Sequence, residues 1–243
     1  MDLQNLNIRL NDFIIKGDTV SMNIRKLNFN EKSGFIMNSF TSELTLTNNL
    51  MYFDDVSILT PHSEISCEST HFTFDSFKDF SDFIDLVDMK IRIKPSVISF
   101  SDISFFTPAL SGYHEEFSIS GLLTGRINDF MGSHVVLRYN SHTILETSFN
   151  MIGLPDFRNT FMHFDISKLV TDTHNLELLE LPGKRKHLEL PANFIKLGRI
   201  HYSGKYTGYP DDFVAYGKFI TNLGELNSDI LLKPDGLNTV RFE

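Results

Sequence analysis

The sequence predicts an all-β protein: antiparallel strands in meander repeats, forming a sandwich, barrel or solenoid, with two or three short helices packed on the sheet. Three observations predict it. Apolar and polar residues alternate at a period of two along most of the chain, the pattern of half-buried antiparallel strands. Turn-forming clusters recur at short intervals. One strand-and-turn motif occurs twice.

In chain order, the alternation first shows at Val20, Met22 and Ile24, then at Leu44 and Leu46, and at Val56 and Ile58. Lys16-Gly17-Asp18 and Thr47-Asn48-Asn49 supply turns between such runs. From 75 to 88 the period changes. Phe77, Phe80, Phe83, Ile84 and Val87 recur at three- and four-residue steps, one face of a short amphipathic helix capped by Asp75 or Ser76. Strand alternation resumes at Ile91 and Ile93. Residues 101–110 carry a capping Ser101 or Asp102 and a Phe105-Phe106 pair, which predicts one or two helical turns ending near Pro108. Val135, Leu137 and Tyr139, then Phe149 and Met151, continue the strands to the turn Gly153-Leu154-Pro155-Asp156. An irregular connection follows near 171–190, including the exposed run Lys184-Arg185-Lys186-His187. A brief helix is predicted at 191–197, with Pro at its start and Gly198 at its stop. The turns at Pro210-Asp211-Asp212, Asn222-Leu223-Gly224 and Pro234-Asp235-Gly236 bracket the last strands, with Ile230 and Leu232 alternating.

The repeat has the form S-G-x-x-T-G-x-x-x-D-F. Ser120, Gly121, Thr124, Gly125, Asp129 and Phe130 return as Ser203, Gly204, Thr207, Gly208, Asp212 and Phe213, at an offset of 83 residues. Residues two apart in a strand share a face. Phe117, Ile119, Gly121, Leu123, Gly125 and Ile127 therefore form one face, matched by Ile200, Tyr202, Gly204, Tyr206, Gly208 and Pro210. The other face carries mostly polar residues, with Leu122 and its counterpart Lys205 the mismatched pair. Both copies present an apolar face notched by two glycines, which mark a bend or a close approach. The aromatic short helices are the expected filling of that notch. The copies run over about 117–156 and 200–236, each a three-stranded meander, within a single elongated β-repeat fragment spanning 1–243.

Composition narrows the function classes. At 41% hydrophobic residues the chain can build a core. A net charge of −9 disfavours a nucleic-acid partner. The single Cys67 excludes a disulfide framework and a multi-Cys metal site, and its strand setting predicts a buried, inert thiol. No apolar run approaches the roughly 18–20 residues of a membrane-spanning helix. The nine histidines lack the i,i+4 spacing of a zinc protease, so no metal site is expected. The acidic pairs Asp54-Asp55, Glu115-Glu116 and Asp211-Asp212, and Glu177 with Glu180, sit at turns and strand ends, where Asp suits turn geometry. There is neither a G-x-S-x-G elbow nor a phosphate loop. The residues thus point to no enzyme, no catalytic residue and no cofactor. The 23 Phe, against no Trp, divide between the short helices and the strands, where apolar surface is available to lipid or to a partner.

These residues resemble a known group. The two repeat copies, Gly153-Leu154-Pro155-Asp156 and Asp212-Phe213-Val214-Ala215-Tyr216-Gly217 are similar to the TamB branch of the AsmA-like envelope proteins. Ser33-Gly34-Phe35, Thr60-Pro61-His62-Ser63 and Ser76-Phe77-Lys78-Asp79-Phe80 fit as well. The resemblance covers most of 20–236 and matches a middle section of such a protein. It implies a periplasmic segment of a longer chain anchored in the inner membrane of Gram-negative bacteria. It also implies that the fold is an elongated, curved antiparallel sheet built from meander repeats, with a β-taco-like apolar groove serving phospholipid transfer between inner and outer membranes, or outer-membrane protein assembly. The implied partners are phospholipid acyl chains and an outer-membrane assembly partner reached through other parts of the protein. The beginning Met1-Asp2-Leu3-Gln4, with no basic and apolar leader, then reads as the start of an excised segment. Leu44, Leu46, Ile91, Ile93, Phe117, Ile119, Leu123, Val135, Leu137, Phe149, Met151, Phe219, Ile230 and Leu232 are the candidate groove-lining residues. The alternative reading is a structural or adhesive β-repeat module that binds protein.

Overall fold

A computed structural model describes residues 2–106, 110–178, 195–233 and 239–242. Most of the predicted helix at 191–197, the Lys184–His187 run and the Pro234-Asp235-Gly236 turn lie outside the described residues. The protein is all-β, with antiparallel strands in meander order and few short helices. Its contacts divide it into two compact units, Met1–Arg126 and Ile127–Glu243.

The first unit contains β1 (Leu3–Lys16), β2 (Thr19–Glu31), β3 (Ile36–Leu46), β4 (Leu50–Leu59), β5 (Glu64–Thr73), β6 (Asp88–Ser99) and β7 (Glu116–Arg126). Each pairs antiparallel with the next. The second unit contains β8 (Asp129–Tyr139), β9 (Thr143–Ile152), β10 (Phe161–Asp172), β11 (Arg199–Tyr209), β12 (Asp212–Thr221), β13 (Gly224–Leu232) and β14 (Thr239–Phe242), paired in the same way. Every alternating run read from the sequence falls inside a strand. Asp129-Phe130 and Asp212-Phe213 open β8 and β12, each directly after a turn.

β1 is one of the strands that alternation did not reveal, β10 being another. Its apolar residues step Leu3, Leu6, Ile8, Leu10, Phe13, Ile15, so the period breaks twice. Both breaks are bulges, at Asn5 (φ 55°) and Asp12 (φ 53°). Asn and Asp tolerate the left-handed region better than other side chains. The same device recurs at Asp55 (φ 46°) in β4 and His134 (φ 50°) in β8, where Phe53 to Val56 and Gly132 to Val135 are three-residue steps.

The connections of the first unit fold over the ends of the strands. The link from β5 to β6 was expected to be one amphipathic helix over 75–88. Instead a 3-10 turn, Phe77–Asp82, runs into a single α turn, α1 (Phe83–Leu86). The register explains the shortening. Thr73 pairs with Asp88, so both ends of the link sit on adjacent strands about 4.8 Å apart. A continuous 14-residue helix would span about 21 Å. The turn is started by Ser76 and Asp79, whose Oδ2 accepts from the backbone N–H groups of Ser76 (3.0 Å) and Asp75 (2.8 Å). Phe74, Phe77, Phe80 and Phe83 contact one another edge-on or tilted, and Phe83 reaches Phe72 of β5. Phe74 and Val87, at 3% and 0% exposure, are among the driest apolar residues described.

The link from β6 to β7 begins with α2 (Phe100–Ile103). Its cap is Ser99, whose side chain accepts from Ser101 N–H, rather than the expected Ser101 or Asp102. Asp102 has another task. It is buried, and its Oδ2 accepts from Thr60 Oγ1 and Ser63 Oγ, both at 2.6 Å. Ser63 Oγ in turn accepts from Ser99 N–H at 3.0 Å. One carboxylate thus ties α2 to the turn between β4 and β5. Phe100 stacks on Phe117, and Phe105 and Phe106 flank Phe35 in the turn between β2 and β3. In the second unit, α3 (Thr173–Leu178) is capped by Asp172, whose Oδ1 accepts from Asn175 N–H at 2.9 Å.

Two outcomes follow from these contacts. Asp102→Ala leaves two buried hydroxyls without their acceptor and should lower unfolding free energy by about 2–4 kcal/mol in urea titrations. Glu31 accepts from Ser33 N–H (2.6 Å) and Asp2 N–H (3.2 Å). Hydrogen bonds from Ser33, helped by Asp2, lower its pKa from the ordinary 4.5 to about 2. A carboxylate depressed on folding stabilises above its unfolded pKa, and that support is lost as pH falls from about 4.5 through about 2. Protection of the Asp2 and Ser33 amides, taken relative to their intrinsic exchange rates at each pH, should therefore fall across this window, and Glu31→Gln should flatten the pH dependence.

Candidate functional site

The registers assemble the alternating residues into rows that run across the strands. In the second unit, one row reads Gly132, Phe149, Phe164, Tyr206, Ala215, Ile230 from β8 to β13. Two positions further along lies Val135, Thr147, Ile166, Gly204, Gly217, Ser228. Next comes Leu137, Leu145, Leu169, Tyr202, Phe219, Leu226. The outer two rows are bulky and apolar. The middle row ends in two glycines and a serine, so the face is notched along the direction that crosses strands.

The first unit repeats the scheme. Met22, Leu44, Phe53, Thr70, Ile91 and Leu123 form a row from β2 to β7. Beside it, Val56, Cys67, Ile93 and Gly121 are aligned from β4 to β7, and Ile24 pairs with Ser42 across β2 and β3. Ser42 and Cys67 are buried at 4% exposure each, small side chains among the bulkier Ile24, Val56 and Ile93. Burial pushes the Cys67 thiol pKa up, against a smaller opposing hydrogen bond with Thr70.

The opposite faces carry most of the charged side chains, although Phe161, Tyr209, Val214, Tyr216 and Ile220 are exposed there in the second unit. Ion pairs join Lys94 to Asp55 (2.8 Å), Arg126 to Asp88 (3.0 Å), Lys168 to Glu146 (3.0 Å) and Lys218 to Glu225 (2.7 Å). His163 Nδ1 meets Thr207 Oγ1 at 2.8 Å, and Tyr52 donates to Asp54 at 2.8 Å. Of the acids flagged by spacing, Asp54 and Asp55 are engaged in this way, Asp211 lies in a turn and Glu177 in α3, and Glu180 lies outside the described residues. Among the described residues, no three His, Cys, Asp or Glu side chains converge to hold a metal ion. Among the same residues no helix is long and apolar enough to cross a membrane.

The sequence-predicted lining residues fall on the apolar faces by register. Leu44, Leu46, Ile91, Ile93, Phe117, Ile119 and Leu123 belong to the first unit, and all are half-buried. Val135, Leu137, Phe149, Met151, Phe219 and Ile230 belong to the second, and Leu232 holds the register position opposite Phe213. Val135 is the exception in exposure: at 4% it is core rather than lining.

The filling of the glycine notch differs from expectation. In β11 no helix enters it. The Tyr202 ring lies over Gly204 and Gly217, and its hydroxyl donates to the Tyr216 carbonyl at 3.2 Å. Gly208 is closed by the backbone of Asp212 and Phe213 on β12. In β8, Gly132 is covered in the same manner by Phe149, its direct cross-strand partner. An aromatic ring laid over a strand glycine recovers the packing that the missing Cβ forfeits.

Beside the Tyr202 ring the face keeps a concavity of about 230 Å³, lined by Ile166, Leu169, Tyr202, Tyr206, Ala215, Phe219, Ser228 and Ile230. Gly217 and Ser228 carry no periodic or motif signal, so reading along the chain misses them. Counting outward from the two-residue turns Pro210-Asp211 and Asn222-Leu223 would have placed both beside Gly204.

No protein-family model matches the chain, and neither a curated protein nor a solved structure does.

The close packing around Gly217 gives a direct check. An added Cβ would meet the Ser203 carbonyl, the Tyr202 ring and Gly204. Gly217→Ala should cost about 1–3 kcal/mol in denaturant unfolding. Tyr202→Phe, which keeps the ring, should cost roughly 1 kcal/mol.

Proposed function

We propose that this chain is a groove segment of a TamB-like envelope protein that carries phospholipid acyl chains across the periplasm between inner and outer membranes. It acts by binding alone, without catalysis or cofactor. The observation that carries the reading is the apolar face of the second unit, where a row ending in Gly204, Gly217 and Ser228 lies between two rows of mostly bulky apolar side chains. An acyl chain needs a long dry track and no polar fixing. Six strands at about 4.8 Å spacing offer a row of about 24 Å. Half the roughly 30 Å hydrocarbon thickness of a bilayer, about 15 Å, is the span of one acyl chain. Held by area alone, at about 25 cal/mol per Å², such a chain slides along the row. A role in outer-membrane protein assembly rests on the same resemblance and on parts of a longer protein.

Photocrosslinking tests the reading. A benzophenone residue replacing Leu123 or Phe219 in the protein in cells should capture phospholipid. The same residue at Thr124 or Lys218, the neighbouring positions on the polar face, should not. Equal labelling from both faces, or none from either, counts against a lipid track.

A further inference from the structure

Every residue of β1 is exposed, from Leu3 to Lys16. Among the described residues β1 pairs only with β2, so its outer edge presents backbone N–H and C=O groups to which no strand is joined. Such an edge is a template for another strand. Its side chains do little to protect it. Ile8 stands opposite Leu27, Leu10 opposite Ile24 and Ile15 opposite Val20. With the bulge residues Asn5 and Asp12 set aside, Leu6, Ile8, Leu10, Phe13 and Ile15 share the apolar face of the first unit. Each is at least 44% exposed, so that face runs out to an open margin. β1 holds no proline, and its charges are Arg9, Asp12 and Lys16 alone.

We propose that β1 is the interface of a symmetric dimer, pairing antiparallel with β1 of a second copy about a two-fold axis at Leu10. The pattern of β1 argues for a copy of itself as the partner. Counted without the two bulge residues, this axis sets Leu10 against itself, Ile8 against Phe13 and Leu6 against Ile15 of the second copy. Every apolar-face residue from Leu6 to Ile15 then meets another, the pairing that stabilises a ladder. On the other face Arg9 meets Asn11 and Lys16 meets Gln4, and the Asp12 bulge of one copy comes level with Arg9 of the other. An axis at Arg9 would also match apolar with apolar, but it sets Arg9 against itself beside Lys26. Like charges directly opposed are unfavourable, so charge chooses the register. The paired segment, Gln4 to Lys16, is about 40 Å long, and at a sheet thickness of about 10 Å the two copies bury about 800 Å² in all. That is small for a specific interface, so the dimer is reversible, with a dissociation constant on the order of 10 μM.

Sedimentation equilibrium of the chain tests this. A monomer–dimer equilibrium in that range is expected, and a chain that stays monomeric well above it would overturn the proposal. Leu10 is exposed, so Leu10→Lys and Leu10→Asp should keep the circular dichroism of the wild type. Each should weaken the dimer about 10-fold or more, because like charges meet at the axis, and an equimolar mixture of the two should restore it. Dimerisation untouched by either variant would put the interface elsewhere and overturn the proposal. Disulfide trapping reads the register and needs neither charged variant. Leu10→Cys should crosslink to itself. Leu6→Cys and Ile15→Cys should crosslink to one another in a mixture, but neither to itself. Cys67 is buried, so the wild type should give no crosslink. Trapping of Leu6→Cys with Phe13→Cys instead would mark an axis at Arg9 and overturn the one at Leu10. Assemblies that grow beyond the dimer would mean edges joined head to tail, and would overturn the two-fold pairing.

Discussion

In each unit, strand side chains are dried first by their own neighbours on the sheet. That constraint shapes both units. Burial on a strand face must come from neighbours across the ladder, and cross-strand pairs are the unit of that stabilisation. The apolar rows are consequently mixed: Val56, Cys67, Val135 and Tyr202 are buried, and many of their neighbours are half-buried. In the first unit, dry packing is reached where a connection folds back, as at Phe74 and Val87. Hydrophobic stabilisation scales with the area removed from water. Surface that the fold leaves partly wet is what a ligand of the same chemistry would complete.

The glycines express this constraint most sharply. A strand glycine gives up packing, and here the loss is repaired from within the sheet. Tyr202 covers Gly204 and Gly217, and Phe149 covers Gly132. Each aromatic ring lies along the ladder, so it both seals backbone and forms a wall of the adjoining track. The 23 Phe are accordingly divided between two uses. Some, such as Phe74 and Phe80, close the ends of strands. Others, such as Phe53, Phe149 and Phe219, build walls.

Most strands were legible because alternation needs only one chain and two neighbours to be seen. The repeat was legible because its glycines and its Asp-Phe pair sit at fixed spacing. What escaped reading shares a physical cause. β1 hid because bulges at Asn5 and Asp12 shift its phase. The helix over 75–88 was overread because phenylalanines at helical spacing also suit a tight aromatic turn, and the pairing of Thr73 with Asp88 is a long-range fact. Asp102 looked like a local cap, but its partners Thr60 and Ser63 lie some 40 residues earlier in the chain. The row that ends in Gly204, Gly217 and Ser228 runs perpendicular to the chain, and only register brings its members together.

The left-handed residues Asn5, Asp12, Asp55 and His134 have a consequence beyond geometry. In a strand, one residue more or less exchanges the two faces of everything that follows. A bulge absorbs that extra residue and restores the phase, as when Phe53 and Val56 return to the same side around Asp55. Each such position therefore works as a frame-restoring comma in the chain's two-letter alternation. Deleting Asp55 would not simply shorten β4. It would turn Val56 and Ile58 to the water side and their polar neighbours to the apolar track. A lineage of such proteins could lengthen or shorten its strands by single residues only where an Asn, Asp, His or Gly stands ready to accept the positive φ.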